Sequence, residues 1–339
     1  MPGPRLVGVT GPTSRSVGVR DVAARAGVSR QTVSRVLNDH PDVADATRAQ
    51  VEKAMAELGY RMNNAARALG TRRTRTIGVL ASDALHYGPS RSIAAIEASS
   101  RDAGYWVTTA FADSGDTASV TAAVEHLRAQ SVEGLIVFAP HARTLDALAG
   151  IEFDVPVAAL HAAGRGEPGL TVDQAAGAAL AVDALADAGH DRIAHLAGPA
   201  DWLEAEARAA GFHAAVAARG LEAGPVIAGD WTAGSGHRAA RAIRDAGATA
   251  VFAGNDQMAL GLIGGLRALG IDVPGEISIA GFDDAPDAAY LWPALTTVRQ
   301  DFDEPARRAV ASVTGAAATP AAPVAPVLVP RSSIAPPAR

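Results

Sequence analysis

Arg30, Gln31 and Arg35, near the start of the chain, carry side chains that can read nucleic-acid bases. A guanidinium group can donate two parallel hydrogen bonds to guanine, and a glutamine amide can pair with adenine in the same way. The short polar residues around them suit contacts with phosphate oxygens, and these are Ser29, Thr32, Ser34 and Asn38. This combination predicts a surface that binds DNA and recognises its sequence.

The segment around these residues is predicted to fold into three short helices. Hydrophobic spacing places them at about residues 20–26, 30–37 and 46–58. Gly27 ends the first helix and allows a tight turn, and Ser29 caps the second helix. Because this turn is so short, the first two helices have the spacing of a helix-turn-helix, whose second helix enters the major groove.

Charge is distributed unevenly along the chain. Residues 1–75 contain 13 Lys and Arg against 6 Asp and Glu, a balance of +7, and the rest contain 17 against 30, a balance of −13. A basic head and an acidic body fit a protein whose head contacts phosphates and whose body does not. We expect residues 1–16 to be a disordered tail, because they are rich in Pro, Gly, Ser and Thr, and residues 17–62 to form the DNA-binding domain.

From Thr76 onward, short apolar strands alternate with helices. Predicted strands cover residues 77–81, 106–111, 134–139, 155–160, 192–197, 250–253 and 277–282. Predicted helices cover residues 90–103, 117–130, 174–188, 203–219, 236–246 and 256–269. This alternation indicates parallel sheets covered by helices, and the length of the segment favours two lobes, with ligands binding beyond the carboxyl ends of the strands.

Several stretches together give a specific resemblance, and they are VRDVAARAGVSRQTVSRVLN (19–38), AMAELGY (54–60), GPSRSIAAI (88–96), HLAGP (195–199), GDWTAGSG (229–236), GNDQMALG (254–261), ISIAGFDD (277–284) and PALTTVRQDF (293–302). The chain resembles the lactose/galactose repressor family of bacterial transcription regulators. The resemblance implies an all-α helix-turn-helix head, a hinge helix and an α/β core of two parallel-sheet lobes like that of periplasmic binding proteins. It also implies a homodimer that binds an inverted-repeat operator DNA and responds to a small effector, most often a sugar.

The resemblance also assigns roles to residues and bounds to domains. It implies a hinge helix and linker at residues 63–75, where Asn63 contacts DNA and Leu69 inserts into the minor groove. Residues 76–335 would form the effector-binding and dimerisation domain, followed by a short tail at 336–339. The implied effector-binding residues are Ser82, His86, Pro89, His161, Arg208, Trp231, Asn255, Asp283, Gln300 and Phe302. Such a set suits a sugar, whose hydroxyls need bidentate polar partners and whose apolar face stacks on an aromatic ring.

The sequence departs from the pattern of the family at several of these positions. Arg30 stands where a tyrosine is expected, so the operator sequence is expected to differ. His161 stands where an aspartate would bind the sugar, and His86 and Ser92 stand where apolar pocket residues are expected. Taken singly, each residue has a simpler explanation that we would prefer: Asn255 could cap a helix, Asp283 could form a turn, Trp231 could lie in the core and Arg208 could be a solvated surface residue. Convergence of the whole set from both lobes favours a pocket.

Composition narrows the function classes further. The chain contains no cysteine, no apolar run long enough to span a bilayer and no signal-peptide pattern, so we expect a cytoplasmic protein with no disulfide, metal, cofactor or membrane partner. A transport-type sugar-binding protein and a sugar-processing enzyme are the competing hypotheses. An enzyme would need two carboxylates across the substrate, whereas Asp283 and Asp284 are adjacent in sequence. Whether the effector releases the protein from DNA or acts as a corepressor stays open.

Overall fold

The computed structural model describes residues 17–37, 40–60, 73–82, 84–138, 140–161, 163–317 and 322–337. The chain divides into two compact units, residues 1–74 and 75–339. Among the described residues, no helix is both long enough and apolar enough to cross a membrane. The predicted tail at 1–16 and most of the predicted hinge segment at 63–75 lie outside the described residues.

The first unit contains the three predicted helices, which are α1 (Val19–Ala26), α2 (Arg30–Leu37) and α3 (Asp45–Leu58). Gly27 and Gly59 end α1 and α3 with φ angles of 64° and 62°, a left-handed conformation that glycine adopts without steric cost. The apolar faces of the helices meet in a small core, whose buried residues are Val22, Ala23, Ala26, Val33, Val36, Val51 and Ala54. This core leaves the polar face of α2 exposed, as the helix-turn-helix prediction requires.

The second unit begins with a lobe built on a four-stranded parallel sheet. Its strands are β1 (Thr76–Ala81), β2 (Trp106–Phe111), β3 (Gly134–Phe138) and β4 (Val157–Leu160), in the order β2-β1-β3-β4. The helices between them are α4 (Tyr87–Asp102), α5 (Thr117–Ala129) and α6 (Ala142–Leu148). Because β1 and β3 are central and almost wholly buried, they read as continuous apolar runs, which explains why the sequence located them well.

A second lobe contains a six-stranded sheet in the order β10-β9-β8-β7-β5-β6. Its strands are β5 (Arg192–Ala197), β6 (Glu222–Ala228), β7 (Ala250–Ala253), β8 (Ser278–Asp283), β9 (Thr296–Arg299) and β10 (Val327–Val329). Its helices are α7 (Gln174–Asp187), α8 (Leu203–Ala218), α9 (Ala233–Asp245) and α10 (Asp256–Ala268). The two-lobed α/β core confirms the predicted fold class, but the sheet is not purely parallel, because β10 runs antiparallel to β9.

The chain passes between the lobes more than once. Helix α11 (Asp303–Thr314) follows β9 of the second lobe, yet it packs on the first lobe, where Ala306 and Val310 join the core around Ile77 and Leu160. The chain then returns to the second lobe as β10. Each lobe is therefore assembled from separate stretches of sequence, and the segments that leave β4 and β9 connect the lobes beside the cleft.

Sequence patterns missed α6, α11, β6, β9 and β10. Strand β6 contains Gly224 and Pro225, two residue types that are depleted in strands. Helix α11 carries Pro305 in its first turn, where proline is tolerated because the N–H group there has no helical partner. Strand β10 is only three residues long, which is too short for the alternation of apolar and polar residues that identifies a strand in the sequence.

Candidate functional site

A cleft lies between the two lobes at the carboxyl ends of their strands. Seven residues expected from the sequence line it, and these are His86, Pro89, Arg208, Trp231, Asn255, Asp283 and Gln300. They follow β1, β6, β7 and β9, end β8, or stand on α4 and α8, so both lobes contribute. The lining also contains Tyr87, Gly88, Trp202 and Glu204, which the sequence did not single out.

Arg208 on α8 organises the second-lobe wall of the cleft. Its side chain is buried, its Nε donates to Gln174 Oε1 at 2.8 Å, and its Nη1 donates to the backbone oxygen of Gly254 at 2.5 Å. The guanidinium lies 3.9 Å from the centroid of the Phe282 ring. Because its donors are directed at partners within the protein, Arg208 acts as a scaffold of the site, and the alternative of a solvated surface arginine is wrong.

Amide side chains extend this scaffold into a buried network. Gln300 donates to Asp283 Oδ1 at 2.7 Å, and Gln174 donates to Gln300 Oε1 at 2.8 Å and to Glu204 Oε1 at 3.1 Å. Gln174 stands in the first turn of α7, where nothing in the local pattern distinguishes it from an ordinary helix residue. A buried network of this kind fixes the positions of its members, because each unpaired polar group would carry a desolvation cost.

Aromatic rings form another part of the wall. Trp202 and Trp231 meet edge to face with ring centroids 5.6 Å apart, and His86 packs against Trp202 at the same separation. Trp231 covers Gly198 so closely that a Cβ atom there would lie 2.1 Å from the indole ring, which requires glycine at that position. Rings in this arrangement offer apolar faces to a sugar.

Asn255 holds the Trp231 backbone and the start of α10 in place. Asn255 caps α10 by accepting a hydrogen bond from the Met258 backbone at 2.9 Å, and its Nδ2 donates to the Trp231 carbonyl at 3.1 Å. The helix-cap role considered from the sequence is therefore present together with a position in the cleft. Trp231 Nε1 is buried and has no hydrogen-bond partner among the described residues, which leaves it available as a donor to a bound ligand.

Three residues expected in the cleft do not line it. Ser82 is buried, and its Oγ has no hydrogen-bond partner among the described residues. Phe302 packs edge to face against Tyr87 and His161, at centroid distances of 6.0 and 5.9 Å. His161 is buried beside the cleft, with Nε2 at 3.1 Å from Ser92 Oγ. Phe302 lines a neighbouring cavity together with Tyr87, Asp283 and Gln300, and His161 contacts Glu204 of the second lobe. None of the three lines the cleft itself, and their role in effector binding stays a prediction.

Burial perturbs the acidic groups of the site in different directions. Burial raises the pKa of Asp283 to about 6, although Arg208 and Gln300 oppose this increase. Burial also acts to raise the pKa of Glu204, but contact with His161 and the charge of Arg208 outweigh it and place that pKa below its usual value. Glu204 is therefore ionised near neutral pH, whereas Asp283 changes its protonation state at about pH 6.

Lowering the pH from about 7 to about 5 is expected to stabilise the wild-type protein by about 1 kcal/mol relative to an Asp283→Asn variant. The pKa of Asp283 is higher in the folded protein, about 6, than in the unfolded chain, 3.8. Its contribution to stability is therefore complete below pH 3.8 and is lost as the pH rises through about 6. In the variant, the asparagine side-chain oxygen can still accept the hydrogen bond from Gln300. Asparagine also tolerates the positive φ of 113° at position 283. Urea unfolding of both proteins at both pH values measures the difference; parallel pH dependences would contradict the assignment.

The exposed face of α2 is the second candidate site. Ser29, Arg30, Gln31, Ser34 and Arg35 are exposed, and Thr32 is half-buried. Ser29 Oγ accepts a hydrogen bond from the Thr32 backbone at 3.0 Å, which confirms the predicted cap. Asn38, Asn63 and Leu69 lie outside the described residues. The arrangement presents two guanidinium groups and an amide from one helix, as base readout requires.

Family models match both units. The description "Bacterial regulatory proteins, lacI family" matches residues 19–63, and "Periplasmic binding protein-like domain" matches residues 182–335. The lactose operon repressor of Escherichia coli K12 is 36% identical over 303 residues, covering 85% of this chain and 81% of the repressor. The regulator CelR of Thermobifida fusca is 33% identical, covering 88% of this chain and 92% of its own length.

Solved structures agree with these relatives. The crystal structure of the lac repressor dimer bound to operator and the anti-inducer ONPF superposes with a TM-score of 0.81 at 32% identity, covering 95% of this chain and all of that one. A complex of CelR with cellobiose gives a TM-score of 0.66 at 30% identity, covering 94% of this chain and 99% of that one. Sequence, fold and the placement of the cleft thus lead to the same conclusion: this chain belongs to the lacI family of bacterial regulatory proteins.

Proposed function

We propose that this protein is a sequence-specific DNA-binding transcriptional regulator, a repressor that a sugar releases from a palindromic operator. The observation that carries the proposal is the cleft, where ordered carboxylate and amide groups face two tryptophans in a chain that also holds an exposed helix-turn-helix. The named relatives include repressors of the lactose and ribose operons and the regulator CelR in complex with cellobiose, which supports the proposal.

The cleft favours an uncharged ligand rich in hydroxyl groups. Arg208 is the cation in the described lining, and its Nε and Nη1 already bond within the protein. Glu204 and Asp283 supply acceptors, and Trp231 Nε1 supplies a donor. Hydroxyl groups satisfy both kinds of partner at once, whereas a phosphate or carboxylate would meet negative charge.

The mechanism couples the cleft to the DNA-binding head. Contacts from both lobes define the cleft, so an effector that binds there favours one orientation of the lobes over another. In a homodimer, this orientation would set whether two heads grip one inverted repeat, through hinge segments that include Leu69 and Asn63. The coupling free energy in such systems is typically about 1–3 kcal/mol. We expect the protein to act in the cytoplasm, where the operator lies.

A thermal-shift measurement with D-galactose, D-ribose, lactose and cellobiose tests the proposal. A sugar that binds only the folded protein raises the apparent melting temperature. That sugar should then release the protein from its selected operator duplex in a fluorescence anisotropy titration. Tighter operator binding in the presence of the sugar would support the corepressor alternative, and sugar binding with no effect on DNA would support a sugar-binding protein without a regulatory role.

A further inference from the structure

Glu204 places a carboxylate in the part of the cleft where the family pattern has an aspartate in the first lobe. The residue at the expected position is His161, which is fully buried and does not line the cleft. Glu204 does line it, from α8 of the second lobe, and its Oε1 lies 3.3 Å from His161 Nδ1. A carboxylate is thus present at this part of the site, but it comes from the opposite lobe.

We propose that Glu204 is the specificity-determining acceptor for effector hydroxyls and that His161 is its positioning residue. This inference rests on the proposed function of the same cleft. It adds the residue that selects neutral sugars over sugars that carry a carboxylate or phosphate.

Hydrogen bonding around His161 supports its positioning role. Ser92 Oγ donates its proton to the Gly88 carbonyl at 2.9 Å, so towards His161 Nε2 it acts as an acceptor and Nε2 carries a hydrogen. The other ring nitrogen of His161, Nδ1, then faces Glu204 Oε1. Because two lone pairs would repel each other, a favourable contact requires a proton between these two atoms. Although the angle is not that of a well-formed hydrogen bond, the 3.3 Å separation is within ion-pair range. His161 therefore connects the carboxylate to the first lobe.

Glu204 keeps capacity to bind a ligand. A carboxylate has about four lone-pair sites, and the partners shown for Glu204 are the side chains of Gln174, His161 and Trp202. Only 8% of the residue is exposed, so a hydrogen bond formed there is little weakened by water. A ligand anion in the same place would be repelled by Glu204, and the Nε and Nη1 groups of Arg208 already bond to Gln174 and Gly254.

A carboxylate-transfer experiment tests the proposal. Intrinsic tryptophan fluorescence, which reports on Trp202 and Trp231, measures the affinity of wild type, E204Q, H161D and H161D/E204Q for lactose and cellobiose. E204Q and H161D are each expected to bind the better of these sugars about tenfold or more weakly. The double variant should recover a large part of that loss, because it returns one carboxylate to the first lobe. Aspartate suits position 161, where φ is 58°.

The outcomes separate the roles. Additive losses in the double variant would overturn the proposal, because two contacting residues that serve one group of the ligand are expected to be coupled. A merely structural pair would instead lower the melting temperature of the single variants without a selective loss of sugar affinity. Equal affinity in wild type and E204Q would overturn it as well. E206Q is the matched control, since Glu206 lies on the same helix but is exposed, and it should bind like wild type. Failure of the wild type to bind any of the four sugars of the thermal-shift panel would instead refute the proposed function.

A measurement on the wild-type protein avoids any folding defect in the variants. Lactobionate and cellobionate carry a carboxylate in place of the reducing-end carbonyl of the parent sugars. Each is expected to bind about tenfold or more weakly than its parent, because its charge is added near two acidic side chains. Binding of either acid as tightly as the parent sugar would overturn the proposed selection for neutral sugars.

Discussion

Replacing Arg208 with lysine is expected to abolish the response to sugar and to leave operator binding nearly unchanged. Lysine keeps the charge, but its single ammonium group cannot replace the guanidinium bonds to Gln174 and Gly254 together with stacking on Phe282. Both bonds lie within the protein, so their loss acts on sugar binding by displacing the wall of the cleft that they hold in place. We expect sugar to bind about a hundredfold or more weakly as a result. Sugar titration and operator anisotropy on the same preparation measure both quantities.

Arg219→Lys is the matched control for this substitution. Arg219 follows directly on α8, and it pairs with Asp183 and Asp187 at the protein surface. Exposed ion pairs of this kind contribute little to stability, so the control should respond to sugar like the wild type. A normal sugar response in Arg208→Lys would remove Arg208 from the site. Loss of operator binding together with a lowered melting temperature would show that it serves folding instead.

Replacing Arg30 with alanine is expected to weaken operator binding by about 1–3 kcal/mol, which corresponds to about 5- to 150-fold. The loss should be larger on the operator than on random duplex, because a bidentate contact with guanine reads sequence, whereas a phosphate contact does not. Anisotropy titrations on both duplexes at several salt concentrations separate these contributions.

Lys53→Ala provides the control for net charge. Lys53 is exposed on α3 of the same unit and lies outside the proposed reading helix, so its removal should change affinity for operator and random duplex alike. If Arg30→Ala behaves in the same way as this control, Arg30 contributes charge only. The assignment of α2 as the reading helix would then depend on Gln31 and Arg35.

The sequence predicted most of the elements because their patterns are local. The helices of the first unit and the buried strands β1, β3, β5 and β7 show their periodicity within a few residues. Helix α11 was missed because its partner surface belongs to the other lobe, far away in sequence. No local pattern reports that the chain leaves a lobe and returns to it.

The site was predictable where a residue matches a motif at a strand end, as for Asn255 and Asp283. It was not predictable where function depends on a contact made in three dimensions. Gln174 and Glu204 lie on helix surfaces of ordinary composition, and only the fold brings them against Arg208 and His161. The sequence showed that His161 stands where the family has an aspartate. It did not show that Glu204 of the second lobe brings a carboxylate to the same part of the cleft.

Selection of DNA from a pool of random duplexes tests the central claim most directly. The purified protein is incubated with the pool at moderate salt, and the bound duplexes are sequenced. A dimeric helix-turn-helix regulator should enrich an inverted repeat with half-sites separated by about one helical turn, and a sugar that binds the cleft should release it. Recovery of duplexes with no sequence preference over the starting pool would contradict the account.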